Sequence, residues 1–111
     1  MNPTVNEITS AAISELRITV VYDNNPYKKR LTTSWGFACV IKGAKKTILF
    51  DTGGDSAVLL KNMRQLGMDP KEIDVVVLSH IHGDHVGGLN GFLQVNMNVA
   101  VYLPATFSSG F

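Results

Sequence analysis

Short apolar runs separated by polar turns recur along this chain and predict a β-sheet. Each run is four to seven residues long and rich in Val, Ile, Phe or Tyr, a composition typical of strands. The predicted strands cover residues 16–22, 35–41, 47–50, 75–78 and 99–103. Because side chains alternate between the two faces of a strand, Ile18, Val20 and Tyr22 are expected on one face of the first strand.

The second predicted strand is apolar on both faces. Alternation places Trp35, Phe37, Cys39 and Ile41 on one face, and small or β-branched residues on the other. We therefore expect both faces of this strand to be buried, with Cys39 as a small buried side chain.

Helical signals appear in two stretches between the predicted strands. The first helix is capped by Asp55 or Ser56 and runs to about Leu66, where a glycine follows as a stop. Residues 69–72 have the form of a capping box with proline at the first helical position, which predicts one more helical turn. The second helix is predicted from Val86 to about Gln94, although three glycines weaken its pattern.

The succession of strand, helix and strand between residues 47 and 78 predicts a βαβ unit. The two strands of such a unit are parallel, so their carboxyl ends lie at the same edge of the sheet. Open α/β sheets bind their ligands at that edge. The predicted fold class is therefore α/β.

All three histidines of the chain lie within six residues, directly after the predicted strand 75–78. His80, His82, Asp84 and His85 offer imidazole nitrogens and a carboxylate, which are ligands for zinc, manganese or iron. We predict two adjacent divalent metal sites, with His80 and His82 on one ion, and Asp84 and His85 on the other. The alternatives are exposed loop histidines or histidines packed in a core, but four ligand-type residues at this spacing favour metal binding.

A carboxylate also follows the third predicted strand, in the sequence Asp51-Thr52-Gly53. A carboxylate at the end of a strand, beside glycines that allow another backbone to approach closely, is typical of a functional site. The alternative is an Asp that only closes a turn. A further alternative is a retroviral-type aspartic protease, in which Asp51 from each chain of a dimer would share a proton and activate water. The helical pattern after Asp51 and the histidine cluster argue against this protease.

The motif His80-x-His82-x-Asp84-His85 resembles that of the metallo-β-lactamase superfamily of metal-dependent hydrolases. Four stretches resemble, more narrowly, the dihydropterin- and methanopterin-biosynthesis-related metallohydrolases; they cover residues 18–25, 35–37, 48–53 and 78–89. The likeness spans about residues 16–107. It implies an αββα sandwich, with zinc as the first expectation for the metal and Asp51 as a hydrogen-bond acceptor that supports the histidine loop.

The resemblance also implies that further metal ligands come from a second half of the fold. A catalytic zinc normally takes three protein ligands and one water, yet no His, Asp, Glu or Cys follows residue 85. Residues 1–15 precede the stretch that shows the resemblance, and we expect them to be an amino-terminal tail. Residues 16–111 are expected to form the amino-terminal half of the sandwich, a mixed β-sheet with helices on one face, without the carboxyl-terminal half.

The activity implied by the resemblance is metal-dependent hydrolysis of an ester, amide or phosphoester-type bond. The metals would activate a water, and Asp84 would act as a catalytic residue that orients this water as well as a ligand. We expect the chain on its own to be inactive or weakly active. A non-catalytic half-domain that binds a partner is the remaining alternative.

Composition narrows the expected partners and compartment. A net charge of +1 with 17% charged residues gives no electrostatic case for binding nucleic acid or an anionic membrane. No apolar run reaches membrane-spanning length, and Cys39, as the single cysteine, fits a reducing compartment. We expect a cytoplasmic protein that acts on a small-molecule substrate, with a homo-oligomer or a complementing carboxyl-terminal half as its protein partner.

Overall fold

Five strands form one sheet within residues 16–26, 30–43, 45–107 and 111, which the computed structural model describes. The strands are β1 (Arg17–Tyr22), β2 (Ala38–Lys42), β3 (Ile48–Phe50), β4 (Val75–Val77) and β5 (Ala100–Tyr102). Each overlaps one of the strands predicted from the apolar runs. The predicted amino-terminal tail, residues 1–15, lies outside the described residues.

The sheet is mixed, and its strand order, β1-β2-β3-β4-β5, follows the chain. Strands β1, β2 and β3 are antiparallel neighbours, whereas β3, β4 and β5 run parallel. A helix lies between β3 and β4 in the chain, so the predicted βαβ unit and the mixed sheet are confirmed. The carboxyl ends of β3 and β4 consequently lie side by side.

The first helix, α1 (Ser56–Gln65), begins where the Asp55 carboxylate accepts a hydrogen bond from the Ala57 N–H at 2.8 Å. A 3-10 turn, Pro70–Glu72, precedes β4. The predicted helix from Val86 is instead two short helices, α2 (Gly83–Val86) and α3 (Leu89–Val95). Because α2 begins earlier than predicted, Asp84 and His85 lie on a helical turn.

The core lies between one face of the sheet and the helices. Three neighbouring strands each contribute a residue that is at most 2% exposed: Val40, Leu49 and Val76. These residues form one cluster with residues of the helices. The helix residues of this cluster include Leu59, Leu60, Met63, Leu89 and Phe92. Burying each such side chain contributes about 1.5–3 kcal/mol, so this layer holds the helices against the sheet.

The opposite face of the sheet is apolar and partly open. Residues paired across neighbouring strands have their side chains on the same face. The register places ten uncharged residues on this face: Ile18, Val20, Cys39, Ile41, Ile48, Phe50, Val75, Val77, Ala100 and Tyr102. We call this set the open sheet face. Ile18, Val20 and Tyr102 on it are 63%, 44% and 62% exposed. A sheet that is apolar on both faces is typical of the interior of a larger domain.

Simple alternation predicts that Tyr22 shares a face with Ile18 and Val20, but in the structure Tyr22 lies on the opposite face. The register between β1 and β2 shifts between Val20 and Tyr22, where β1 carries an extra residue. Such a bulge turns the following side chain to the other side of the sheet. Tyr22 is therefore 1% exposed and belongs to the core cluster.

Trp35 also departs from the prediction, because its side chain is 72% exposed. The strand that was expected from residue 35 begins only at Ala38. Gly36 has a φ of 134°, a backbone conformation that residues with side chains rarely adopt, so the extended run cannot start before it. Among the helices of the described residues, none is long and apolar enough to cross a bilayer.

Candidate metal centre

The two segments that form the site follow the adjacent parallel strands β3 and β4. Asp51 comes directly after β3, and its backbone N–H donates to the Val77 carbonyl oxygen of β4 at 2.8 Å. The segment 79–85 follows β4 at the same edge of the sheet. The segments that carry the predicted site residues therefore lie side by side at the carboxyl ends of two parallel strands, as expected.

The Asp51 carboxylate is 1% exposed and accepts three hydrogen bonds. Its Oδ1 accepts from the Ser79 backbone N–H at 2.8 Å, and its Oδ2 accepts from the Ser79 hydroxyl at 2.6 Å. The same Oδ2 lies 2.8 Å from Nδ1 of His85. Asp51 thus fixes both ends of the segment that carries the histidines.

The four residues of the motif lie together. The His80 ring centroid is 4.6 Å from that of His82 and 4.2 Å from that of His85. The Asp84 carboxylate Oδ2 lies 3.6 Å from Nε2 of His85. His80, Asp84 and His85 are partly buried, and His82 is exposed. The three rings are therefore neighbours, and His80 lies between His82 and His85.

The donor set fits a divalent metal ion. Side-chain ligand atoms of Asp51, His80 and His85 all lie within 4.8 Å of one another, and imidazole nitrogen with carboxylate oxygen suits zinc, manganese or iron. Both Asp51 oxygens already accept hydrogen bonds from Ser79 and His85. Three of the roughly four acceptor positions of the Asp51 carboxylate are thus in use, which suits a group that orients neighbouring metal ligands. The ligand atoms of His82 and Asp84 are not part of the three-residue group found among the described residues.

Backbone contacts fasten the Asp51 turn to the histidine segment. The His85 carbonyl oxygen accepts from the Thr52 N–H at 2.8 Å and from the Thr52 hydroxyl at 3.0 Å. On the other side, a Cβ at Gly36 would lie 2.1 Å from the Asp84 carbonyl oxygen, so only glycine allows this approach. Thr52 is fully buried. Its contacts with His85, together with the approach of Gly36 to Asp84, bring three separate segments together.

The sequence predicts the ligand-type residues and Asp51 as site residues, but it does not indicate the contacts that Ser79, Thr52 and Gly36 make with them. Ser79 directly precedes the first histidine, and its hydroxyl contacts both Asp51 and His80. The available signal was its place at the end of a strand that leads into the motif. Thr52 lies within the stretch Asp51-Thr52-Gly53, but no pattern in the sequence indicates that its hydroxyl, or Gly36, contacts the histidine segment.

Cys39 is close to the site but does not suit metal binding. Burial, followed by the negative charge of nearby Asp51, raises the pKa of the Cys39 thiol above its ordinary value of 9.0. Burial and this charge therefore disfavour the thiolate, which is the form that binds metal. Its 6% exposure agrees with the expectation of a small buried side chain.

The surroundings of Asp51 do not favour an aspartic protease. That mechanism needs two Asp carboxylates that face each other across a dimer and share a proton. The Asp51 carboxylate is instead buried inside one chain and is occupied by Ser79 and His85.

Comparison with known proteins gives one consistent family. A family model described as the metallo-beta-lactamase superfamily matches residues 36–110. The 7,8-dihydropterin-6-methyl-4-(beta-D-ribofuranosyl)-aminobenzene-5'-phosphate synthase of Methanocaldococcus jannaschii is 38% identical over 80 residues, which are 71% of this chain and 27% of the synthase. Ribonuclease Z of Nanoarchaeum equitans is 41% identical over 70 residues, which are 63% of this chain and 20% of that enzyme.

Solved structures agree with these relatives. Tm1679, described as a metal-dependent hydrolase of the beta-lactamase superfamily, matches with 40% identity and a TM-score of 0.54 over 67% of this chain and 26% of its own. The metallo-beta-lactamase SMB-1 matches with 22% identity and a TM-score of 0.56 over 76% of this chain and 32% of its own, which shows the fold alone. The chain thus spans about a third or less of the length of each of these proteins.

Proposed function

Because the chain belongs to the metallo-β-lactamase superfamily, we propose that it supplies the amino-terminal part of the active centre of a metal-dependent hydrolase. The observation that carries this proposal is the proximity of three imidazole rings and the Asp84 carboxylate beyond the carboxyl end of β4. Asp51 holds this group from the buried side. The hydrolases among its relatives make this reaction class the best-supported one.

Each motif residue has a distinct role in this proposal. His80 and His82 would hold one divalent ion, and Asp84 and His85 a second, with zinc as the expected metal. When bound, such ions supply a water activated near neutral pH and polarise the bond under attack. Asp84, which is partly exposed beside His85, would also orient the attacking water. Asp51 would keep the His85 ring in the orientation that ligation requires.

The proposed substrate is a small molecule with an ester, amide or phosphoester-type bond. Support comes from the chemistry of the donor set together with the absence of any strong net charge, since a chain of net charge +1 offers little attraction for a polyanion. The lone Cys39 supports a reducing, cytoplasmic location for this activity.

Two ligands per metal do not complete a catalytic zinc site, which normally takes three. We propose that the remaining ligands come from a carboxyl-terminal half-domain that packs on the open sheet face. This face carries no charged side chain and includes the exposed Ile18 and Tyr102. The relatives are several times longer than the stretch they share with this chain, which leaves ample polypeptide for such a layer.

The metal role can be tested by titrating the purified chain with zinc in a calorimeter. We expect measurable but weak binding, which His82→Ala lowers at least about tenfold, because even the partners that orient ligands are worth 10- to 100-fold. Glu72→Gln is the control: this exposed carboxylate lies at the amino end of β4, away from the motif, and its loss should leave zinc binding unchanged. Failure of the wild-type chain to bind zinc, manganese or iron would contradict the proposal.

The incompleteness of the site has its own test. The zinc-loaded chain is incubated with an ester, a lactone, a thioester and a phosphodiester, with and without a chelator. We expect hydrolysis close to the buffer rate in every case. Rapid hydrolysis that the chelator abolishes would confirm the reaction class, but it would contradict the need for a second half-domain.

A further inference from the structure

The Ser79 hydroxyl lies between Asp51 and the first histidine of the motif. Its Oγ is 2.6 Å from Oδ2 of Asp51 and 2.8 Å from Nδ1 of His80. On the far side of the same carboxylate oxygen, Nδ1 of His85 lies at 2.8 Å. The atoms therefore form one continuous hydrogen-bonded chain from His80 through Ser79 and Asp51 to His85.

The chemistry of the groups fixes the direction of each hydrogen bond in this chain. An ionised carboxylate can only accept, so Ser79 donates its single hydroxyl hydrogen to Asp51. The Ser79 oxygen can then only accept from His80, which requires the proton of that imidazole to be on Nδ1. By the same argument His85 carries a proton on Nδ1, where it donates to Asp51.

We infer that Ser79 is a positioning residue that selects the Nδ1–H tautomer of His80 and thereby leaves its Nε2 lone pair available for a metal ion. The inference rests on the proposed function for the metal, but the tautomer itself does not require one. Through Asp51, Ser79 also joins a ligand of the first proposed metal to a ligand of the second. One buried carboxylate thus sets the orientation of both imidazoles.

The geometry offers a selective substitution. Ser79→Ala removes the hydroxyl but keeps the backbone N–H that donates to Oδ1 of Asp51, so the turn retains one of its anchors. Ser79→Thr keeps the hydroxyl and adds one methyl group at a half-buried position. A structural role of the backbone alone would make both variants behave alike, whereas the inferred role separates them.

The test is the tautomer of His80 in the metal-free chain, read from the imidazole nitrogen shifts of protein labelled with ¹⁵N-histidine, at a pH where the rings are neutral. We expect His80 in the wild-type chain to be protonated on Nδ1. Ser79→Ala should lose that preference and weaken zinc binding by roughly 10- to 100-fold, and Ser79→Thr should restore both.

The inference would be overturned if His80 of the wild-type chain carried its proton on Nε2. This outcome needs no variant, so the inference can be tested even if Ser79→Ala does not fold. An unchanged tautomer in a folded Ser79→Ala chain would also overturn it. These outcomes are separate from failure of the proposed function, which appears as His82→Ala leaving zinc affinity unaltered while the His80 tautomer is as expected.

Discussion

Asp51 combines a buried carboxylate with a left-handed backbone, at φ 59°. Few residues with a side chain adopt this region, and Asp and Asn are among those that tolerate it best. The conformation turns the chain sharply after β3, and the carboxylate then meets Ser79 and His85. Local strain is thus accepted at a point where the hydrogen bonds that orient the histidines converge.

Asp51→Asn tests this role without disturbing the backbone, because Asn tolerates the same φ. The variant replaces a carboxylate that receives three hydrogen bonds with an amide that cannot accept them all. We expect zinc affinity to fall roughly 10- to 100-fold and the free energy of unfolding to fall by about 1–3 kcal/mol. Calorimetry and urea denaturation measure the two effects.

Asp55→Asn is the matched control for this substitution. Asp55 is exposed and caps α1, and Asn is an equally good cap, so neither zinc affinity nor stability should change appreciably. Equal zinc affinity in Asp51→Asn and the wild-type chain would show that Asp51 does not support the metal centre.

The ligand-type residues could be predicted from the sequence because they are nearly contiguous. They fall within six residues directly after one predicted strand: His80, His82, Asp84 and His85. Their suitability as metal ligands follows from residue type and spacing, without knowledge of the fold. The role of Ser79 could not be predicted in the same way. Its hydroxyl acts on a residue 28 positions away, and that contact depends on the left-handed turn at Asp51.

At the scale of elements, three segments meet at the carboxyl end of β4: the segment 79–85, which carries the histidines, the turn at Asp51, and the stretch at Gly36. Gly36 determines how closely its stretch packs against the segment 79–85. The Phe37 N–H donates to the Asp84 carbonyl oxygen at 3.3 Å, beside the position where a Gly36 Cβ would collide with that oxygen. Gly36→Ala should therefore lower the melting temperature and weaken zinc binding, because α2 must move and the φ of 134° suits only glycine.

Gly83→Ala is the control for that variant. A Cβ at Gly83 meets no atom within 4 Å, and the residue lies in α2, where alanine is the better helix former. Its melting temperature should stay equal or rise slightly. Equal stability of Gly36→Ala and Gly83→Ala would mean that the contact with Asp84 does not constrain the turn.

Helix α1 is tied to the sheet edge by a buried amide as well as by its apolar face. Asn62 is 2% exposed; its side-chain NH₂ donates to the carbonyl oxygens of Val21 and Thr32, and its Oδ1 accepts from the Thr32 N–H. Asn62→Ala leaves these buried backbone groups without partners and should lower the free energy of unfolding by about 1–3 kcal/mol. Asn90→Ala, on the exposed side of α3, should change it by less than about 0.5 kcal/mol. Equal urea midpoints for the two variants would contradict this role.

The strands themselves could be predicted from the apolar runs, but not always the faces of their side chains. Alternation gives correct neighbours only while the register is regular, and the bulge after Val20 moves Tyr22 from the open sheet face to the core. Trp35 was misplaced because Gly36 interrupts the extended backbone. Both deviations depend on pairing with distant segments, which a local pattern does not contain.

At the scale of the whole molecule, the described residues cover one face of the sheet with helices and leave the other face partly open. Replacing Ile18 and Tyr102 together with Thr keeps the β-propensity of both positions and lowers their apolar area. We expect the double variant to bind less of a dye that fluoresces on apolar surface than the wild-type chain does, with both chains monomeric in sedimentation. Met97→Thr, at a position that lies outside this face and is more exposed than either residue, should change dye binding little.

Two outcomes would contradict the account of the open sheet face. Equal dye binding by the double variant and the wild-type chain would show that the face is not available for packing. A concentration-dependent dimer that the double variant abolishes would assign the face to a second copy of this chain instead of a carboxyl-terminal half-domain.

The central claim, that the histidine turn holds two metal ions with Asp51 behind it, is tested most directly by anomalous diffraction from crystals of the chain soaked in zinc. The account predicts one peak at about 2.1 Å from ring nitrogens of His80 and His82, and a second at that distance from Asp84 and His85, with Asp51 bonded to neither. A single zinc ion coordinated by Asp51 itself together with His80 and His85, or no peak near the turn, would contradict it.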